Sequence, residues 1–168
     1  MSSPTEKLCL SCTLCCNGGL FADLRLSAAD RARLARKSIA LKLTRAGKLP
    51  QPCQALCGPR CTIYNSRPGY CRRFECLLLK QVNAGAEDAE TALCIIRTAR
   101  RRLARVERLL KALGDQDNSV AVSLRFRRLS RVFATKSPDA PKAALFGELT
   151  LAIHGLNHYL AERFYPGP

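Results

Sequence analysis

The sequence predicts a mainly α protein with minor β, in which a metal-stapled, cysteine-rich N-terminal region packs on a C-terminal antiparallel three-helix bundle. Three observations predict this. Nine of the ten cysteines precede Leu77. From Ala92 onward apolar residues recur in alternating steps of four and three, the period of one helix face. The breaks between those stretches are short, which makes consecutive helices antiparallel neighbours.

The chain opens with "CLSCTLCC", placing Cys9, Cys12, Cys15 and Cys16 within eight residues. In "GLFADLRL", Leu20, Ala22, Leu24 and Leu26 alternate with Phe21, Asp23 and Arg25, the period of a half-buried strand. "SAAD" then supplies a Ser N-cap, Ser27, with an acid three residues on, Asp30. The basic, Ala/Leu-rich stretch that follows predicts a helix over 28–44, stopped by Gly47 and Pro50. Residues 51–60, with Pro52, Gly58 and Pro59, read as a loop, and "CTIY" as a brief extended piece. Pro68 suits the first turn of a short helix capped by Ser66 or Asn65, with Cys71 and Cys76 on or beside it. Five residues apart, those two share no helix face and need not share a site.

The second half reads as three helices. Ala92, Ile96, Ala99, Leu103, Val106, Leu110 and Leu113 make a narrow apolar seam closed by Gly114 and Asp115. Val122, Phe126, Leu129 and Phe133 repeat the pattern up to "KSPDAP", and Leu145, Leu149, Ile153, Leu156 and Leu160 carry it onward. Two regions follow: a cysteine-cluster metal-binding region, 1–80, and a basic helical region, 81–168, packed as one unit.

At 168 residues the chain can bury a core without disulfides or metal, so the cysteines need another explanation. Neither a basic-then-apolar leader nor a run of about 18 apolar residues occurs, so the expected location is the cytoplasm, with no membrane partner. In a reducing compartment clustered thiols point to metal rather than to disulfides. The formal charge of +15 suggests an anionic partner. Four thiolates around a zinc ion or an oxidised four-iron cluster carry about −2, so two such sites lower the charge only to roughly +11.

A C-x2-C-x2-C run wraps a chain tightly around a thiophilic centre, and Cys9, Cys12 and Cys15 have that spacing. It is like the start of a bacterial ferredoxin run without the fourth cysteine and its proline. Cys16 adjoins Cys15, and neighbouring side chains diverge, so it serves a second site or merely packs. The remaining ligands come from Cys53, Cys61, Cys71 and Cys76.

"CLSCTLCC", "LRLSAADRARL", "PC" at Pro52 and Cys53, and "CTIYNSRPGYCRRFEC" together resemble the YkgJ-like cysteine-cluster (CxxCxxCC) family, described as a zinc- or iron-chelating domain. The resemblance covers residues 9–76. It implies eight metal-binding candidates: Cys9, Cys12, Cys15, Cys16, Cys53, Cys61, Cys71 and Cys76. Cys57 and Cys94 fall outside it. A relative with a cysteine cluster of this kind, flagellin lysine methylase, is larger, and no substrate-binding segment of its kind is visible here.

Eight thiols close two tetrahedral zinc sites, or hold one four-iron cluster with the rest structural or redox-active. The tight three-cysteine run and the lack of a nearby histidine favour iron-sulfur, as 4Fe-4S, over Zn2+. His154 and His158 share a helix face, but no third ligand of their type follows and they read as ordinary surface or packed residues. Cys94, in "ALCIIR", reads as a small core residue, and Cys57 as a spare ligand, a redox partner or neither. Around bound thiolates, Arg67 and Arg72 would offset negative charge while Tyr64 and Phe74 exclude water. The competing reading pairs an arginine with Glu75 and packs the tyrosine in the core.

Arg97, Arg100, Arg101, Arg102, Arg105, Arg108 and Lys111, opposed only by Glu107, make one helix strongly basic, and Arg125, Arg127, Arg128 and Arg131 continue the excess. Such a face grips phosphates, yet no aromatic interleaving or nucleic-acid motif accompanies it, so an unidentified protein is the better expected partner. Three functions compete. A metal-cluster binding protein with a redox or metal-handling role comes first. A cluster-dependent enzyme resembling the methylase, or a zinc-stapled nucleic-acid or protein adaptor using the basic helices, comes behind it. No glycine loop for nucleotides, Ser/His/Asp arrangement or H-E-x-x-H motif supports the enzyme.

Overall fold

The computed structural model describes residues 4–135 and 139–165. Part of the "KSPDAP" break, 136–138, lies outside the described residues. Helix α1 (Pro4–Cys12) begins the chain, a helix that no apolar period announces. Leu8 is its buried anchor, and Thr13 ends it with a left-handed φ of 56°.

Strand β1 (Asp23–Arg25) is shorter than its alternating pattern, and helix α2 (Ala28–Arg36) stops eight residues before the predicted end at 44. The reason is strand β2 (Lys48–Pro50), which pairs antiparallel with β1 in the register Leu24↔Leu49. To reach that pairing the chain turns back at Ser38, with φ 53°, and Leu24, Leu26, Leu34 and Leu49 close into a small core of their own. Burial of four leucines outweighs the helix propensity of residues 37–44. The Ser27 cap forms as the sequence predicts: Ser27 Oγ accepts from Asp30 N at 3.0 Å while the Asp30 carboxylate accepts from Ser27 N.

Strands β3 (Leu56–Cys57) and β4 (Arg60–Cys61) form a tight hairpin around Gly58, followed by a 3-10 turn at Tyr64–Ser66. Helix α3 (Gly69–Arg73) has Pro68 at its N-cap, but neither Asn65 nor Ser66 caps it. Asp30 does so from across the fold, its Oδ1 accepting from Gly69 N at 2.8 Å. Helix α4 (Leu77–Asn83) follows, with Cys76 at its N-cap.

Helix α5 (Ala89–Ala112) is capped by Asp88, and helix α7 (Ala140–Arg163) by Asp139; between them lies helix α6 (Val122–Thr135). The buried stripe of α5 includes Ile95 and Leu109 beside the predicted seam, so it is wider than a coiled-coil stripe. It packs on Leu149, Ile153, Leu156 and Leu160 of α7. Helix α6 joins through Phe126 and Phe133, which stack on Phe146 at 6.0 and 4.3 Å between centroids.

One core cluster spans both halves of the chain, since Leu8, Leu14 and Leu20 belong to it with the α5 and α7 residues. Tyr165 Oη donates to Leu20 O at 2.7 Å, and Leu77 N to Phe164 O at 3.0 Å, tying the end of α7 to the cysteine region. Gly18, at φ +82°, lets the chain after the cysteines approach α6: a Cβ there would sit 3.0 Å from Ala121 Cα.

Two further expectations are overturned. Arg125 is not part of a basic face: it is 1% exposed, and its Nε donates to Asp115 Oδ1 at 2.9 Å. Burial of Asp115, the residue expected merely to close α5, demands a cation, and Arg125 with Arg128 supplies it. Cys94 is exposed rather than in the core, because it lies one position before the buried Ile95 and Ile96. Among the described residues no helix is long and apolar enough to cross a membrane.

Candidate metal centre

Helix α1 carries Cys9 and Cys12 on successive turns, and the tight turn after it delivers Cys15 and Cys16. That turn is held by Cys16 N and Asn17 N, which donate to Thr13 O at 2.8 and 3.0 Å. Leu14, fully buried between the cysteines, anchors it in the helical core. Helix α4 packs on α1, which brings Cys76 in from sixty residues away. Cys12 feels the charges of Cys76 and Cys9, and Cys15 those of Cys12, Cys76, Cys16 and Cys9. Cys9, Cys12, Cys15 and Cys76 therefore form one neighbourhood.

Cys16 faces another. Its carbonyl accepts from Cys53 N at 2.7 Å. The hairpin then returns Cys61 opposite Leu56, whose N donates to Cys53 O at 2.9 Å. Helix α3 contributes Cys71. Cys16 feels Cys53, Cys71 and Cys61 ahead of Cys9, and Cys71 feels Cys53 and Cys61.

All ten cysteines are free thiols. Burial, and then the charge of neighbouring sulfurs, pushes three of them up: Cys12 to about 12, Cys16 to about 12 and Cys71 to about 11. Cys15 is driven up furthest, and Cys9, Cys53 and Cys76 move the same way. Half-buried thiolates that repel one another do not ionise together unaided; a thiophilic cation among them reverses the balance and deprotonates its ligands. Among the described residues no three His, Cys, Asp or Glu side chains have closed to ligating distance. The donor set, eight soft sulfurs with the exposed Glu75 carboxylate near Cys9 and Cys76 and no histidine among them, fits zinc or iron-sulfur rather than a hard cation.

The residues expected around the thiols are placed unequally. Arg67 lies among them: its charge favours ionised Cys9 and ionised Cys71, and its guanidinium carbon sits 3.8 Å from the centroid of the Tyr64 ring. Tyr64 is itself 54% exposed, so it supports Arg67 rather than sealing out water. Arg72 is exposed. Phe74 is half-buried and packs with Phe21 and Tyr70 at 5.0 and 5.7 Å. Arg100 was hidden among the basic residues of α5. It donates to Ser11 O at 3.0 Å and favours ionised Cys12, a role that no spacing in the sequence signals. Cys57 at the hairpin, His154 and His158 are exposed, and His158 faces Glu162 at 3.4 Å.

A family model named CxxCxxCC and described as "Putative zinc- or iron-chelating domain" matches residues 8–94, just over half of the chain. No curated protein and no solved structure matches it.

Proposed function

The chain belongs to the CxxCxxCC family of zinc- or iron-chelating domains, and from that premise we propose that it is an iron-sulfur protein with a redox or metal-handling role. Cys9, Cys12, Cys15 and Cys76 are the ligands of a 4Fe-4S cluster in this reading. The observation that carries it is the packing of α4 on α1, which sets Cys76, a fourth and distant thiol at the start of α4, beside the helix that carries Cys9 and Cys12. That supplies the ligand an isolated ferredoxin-like run lacks. When bound, the cluster supplies one-electron chemistry.

The chain's own residues do the rest. Arg100 and Arg67 offset the negative charge of bound thiolates, and Leu14 with Phe21 and Phe74 keeps water from one side. The cytoplasm, a reducing compartment, suits ten free thiols, and the proposed partner is a protein that exchanges electrons or metal with the cluster. An adaptor built on the basic helices is less favoured, because Arg100, Arg102, Arg105, Arg125 and Arg128 are engaged with the protein itself.

Anaerobic purification tests the reading. A brown protein absorbing near about 400 nm with at least about four irons per chain is expected. A colourless protein containing only Zn2+ overturns iron-sulfur in favour of zinc.

A further inference from the structure

The eight thiols are not one pool. Cys12, Cys15 and Cys76 pack against the main helical core, whereas Cys53 and Cys71 pack against the small core of Leu24, Leu26, Leu34 and Leu49. No cysteine packs on both. Cys9 joins the first set through α1, and Cys16 joins the second through the 2.7 Å bond from Cys53 N to its carbonyl. Cys61 joins the second through the hairpin that begins just after Cys53. Residues 15 and 16, whose Cα atoms are about 3.8 Å apart, thus fall in different sets.

We propose that the chain builds two separate four-thiolate metal centres, Cys9, Cys12, Cys15 and Cys76 in one and Cys16, Cys53, Cys61 and Cys71 in the other, joined by the Cys15–Cys16 peptide. This rests on the metal-binding reading above and extends it to thiols that a single cluster leaves unused. The second centre takes a thiophilic metal with four sulfur ligands and a net charge of about −2.

Its surroundings suit an anion. The buried side-chain polar atoms without a hydrogen-bond partner, among the described residues, are Arg33 Nε, Arg67 Nε and the two amide atoms of Gln51. Gln51 is 1% exposed and two residues from Cys53; Arg67 is four residues before Cys71; Arg33 is bonded to Arg67 O at 2.9 Å. Three of these atoms, Arg33 Nε, Arg67 Nε and Gln51 Nε2, are donors; unpaired buried donors are uncommon, and metal-bound sulfur is the kind of acceptor they lack.

The test is alkylation with iodoacetamide of the anaerobically purified, metal-bound full chain, read residue by residue by mass spectrometry. Cys57 and Cys94, exposed and in neither set, should react, and the other eight, exposed Cys9 among them, should be protected. Cys12→Ser should unprotect Cys9, Cys15 and Cys76 alone; Cys61→Ser should unprotect Cys16, Cys53 and Cys71 alone. Where a variant loses its helical circular dichroism, the wild type decides instead: under a chelator, protection should be lost in two phases, each comprising one set of four. Protection of only one set, phases that mix members of the two sets, or a single phase for all eight overturns the proposal. Colour and iron content are read separately. A colourless protein with two blocks of protected thiols removes the iron reading and keeps two centres, while a brown protein with four protected thiols does the reverse.

Discussion

Asp30 fastens α2 to the start of α3, the helix that carries Cys71, and removing its charge should weaken the fold in a pH-dependent way. The carboxylate is buried, which by itself would raise its pKa. Bonds from Gly69 N, Ser27 Oγ, Ser27 N and Arg33 overcome that burial and bring it from 3.8 to about 2. A group held below its ordinary value contributes stability above that value and loses it as pH falls through the folded one. The difference between 3.8 and about 2 corresponds to about 2 kcal/mol at neutral pH, of which about half is gone by pH 3. Asp30→Asn keeps the size and one acceptor while deleting the charge. Urea unfolding of the two proteins, followed by circular dichroism, should show the variant about 2 kcal/mol less stable at pH 7. The gap should narrow steadily below pH 4. A gap that stays constant from pH 7 to pH 3, or no gap at all, would refute the reasoning, because the charge would then contribute nothing that the amide lacks.

Arg67→Ala should release metal to a chelator about tenfold faster than wild type, with Arg67→Lys in between, since the neighbouring thiolates lose their cation; unchanged release rates would remove Arg67 from the centre. Arg125→Met leaves the Asp115 carboxylate buried at 2% exposure with Arg128 as its remaining cation, and should cost about 3–5 kcal/mol in urea unfolding. Metal per folded chain should not change, because this ion pair touches neither cysteine set. Gly18→Ala forces a side chain into a φ of +82° against the Ala121 backbone and should destabilise by about 1–3 kcal/mol, measured the same way.

Elements governed by local pattern were legible in the chain. The apolar seam of α5, the stripe of α7 and the Ser27–Asp30 cap need only residues within a few positions of one another, and all form where the spacing puts them. Elements that depend on distant partners were not. Helix α2 stops at Arg36 because β2 must reach β1, and α3 takes its cap from Asp30 rather than from Asn65 or Ser66. Helix α1 has too weak an apolar period to be read, yet it presents Cys9 and Cys12. Arg125 and Cys94 exchange their expected environments because the turn after α5 buries Asp115 and because the α5 stripe runs through Ile95 and Ile96 rather than Cys94.

The sequence by itself determined the chemistry: sulfur donors in number, the C-x2-C-x2-C spacing that keeps three of them within seven residues, and a basic helical second half. Which thiols meet was decided by tertiary structure alone. Cys76 comes beside the first run because α4 packs on α1, and Cys53 comes beside Cys16 through the bond from its N to the Cys16 carbonyl. Spacing along a chain constrains neighbours within a turn or two, whereas a centre assembled across sixty residues is set by how helices and a hairpin bury their apolar faces.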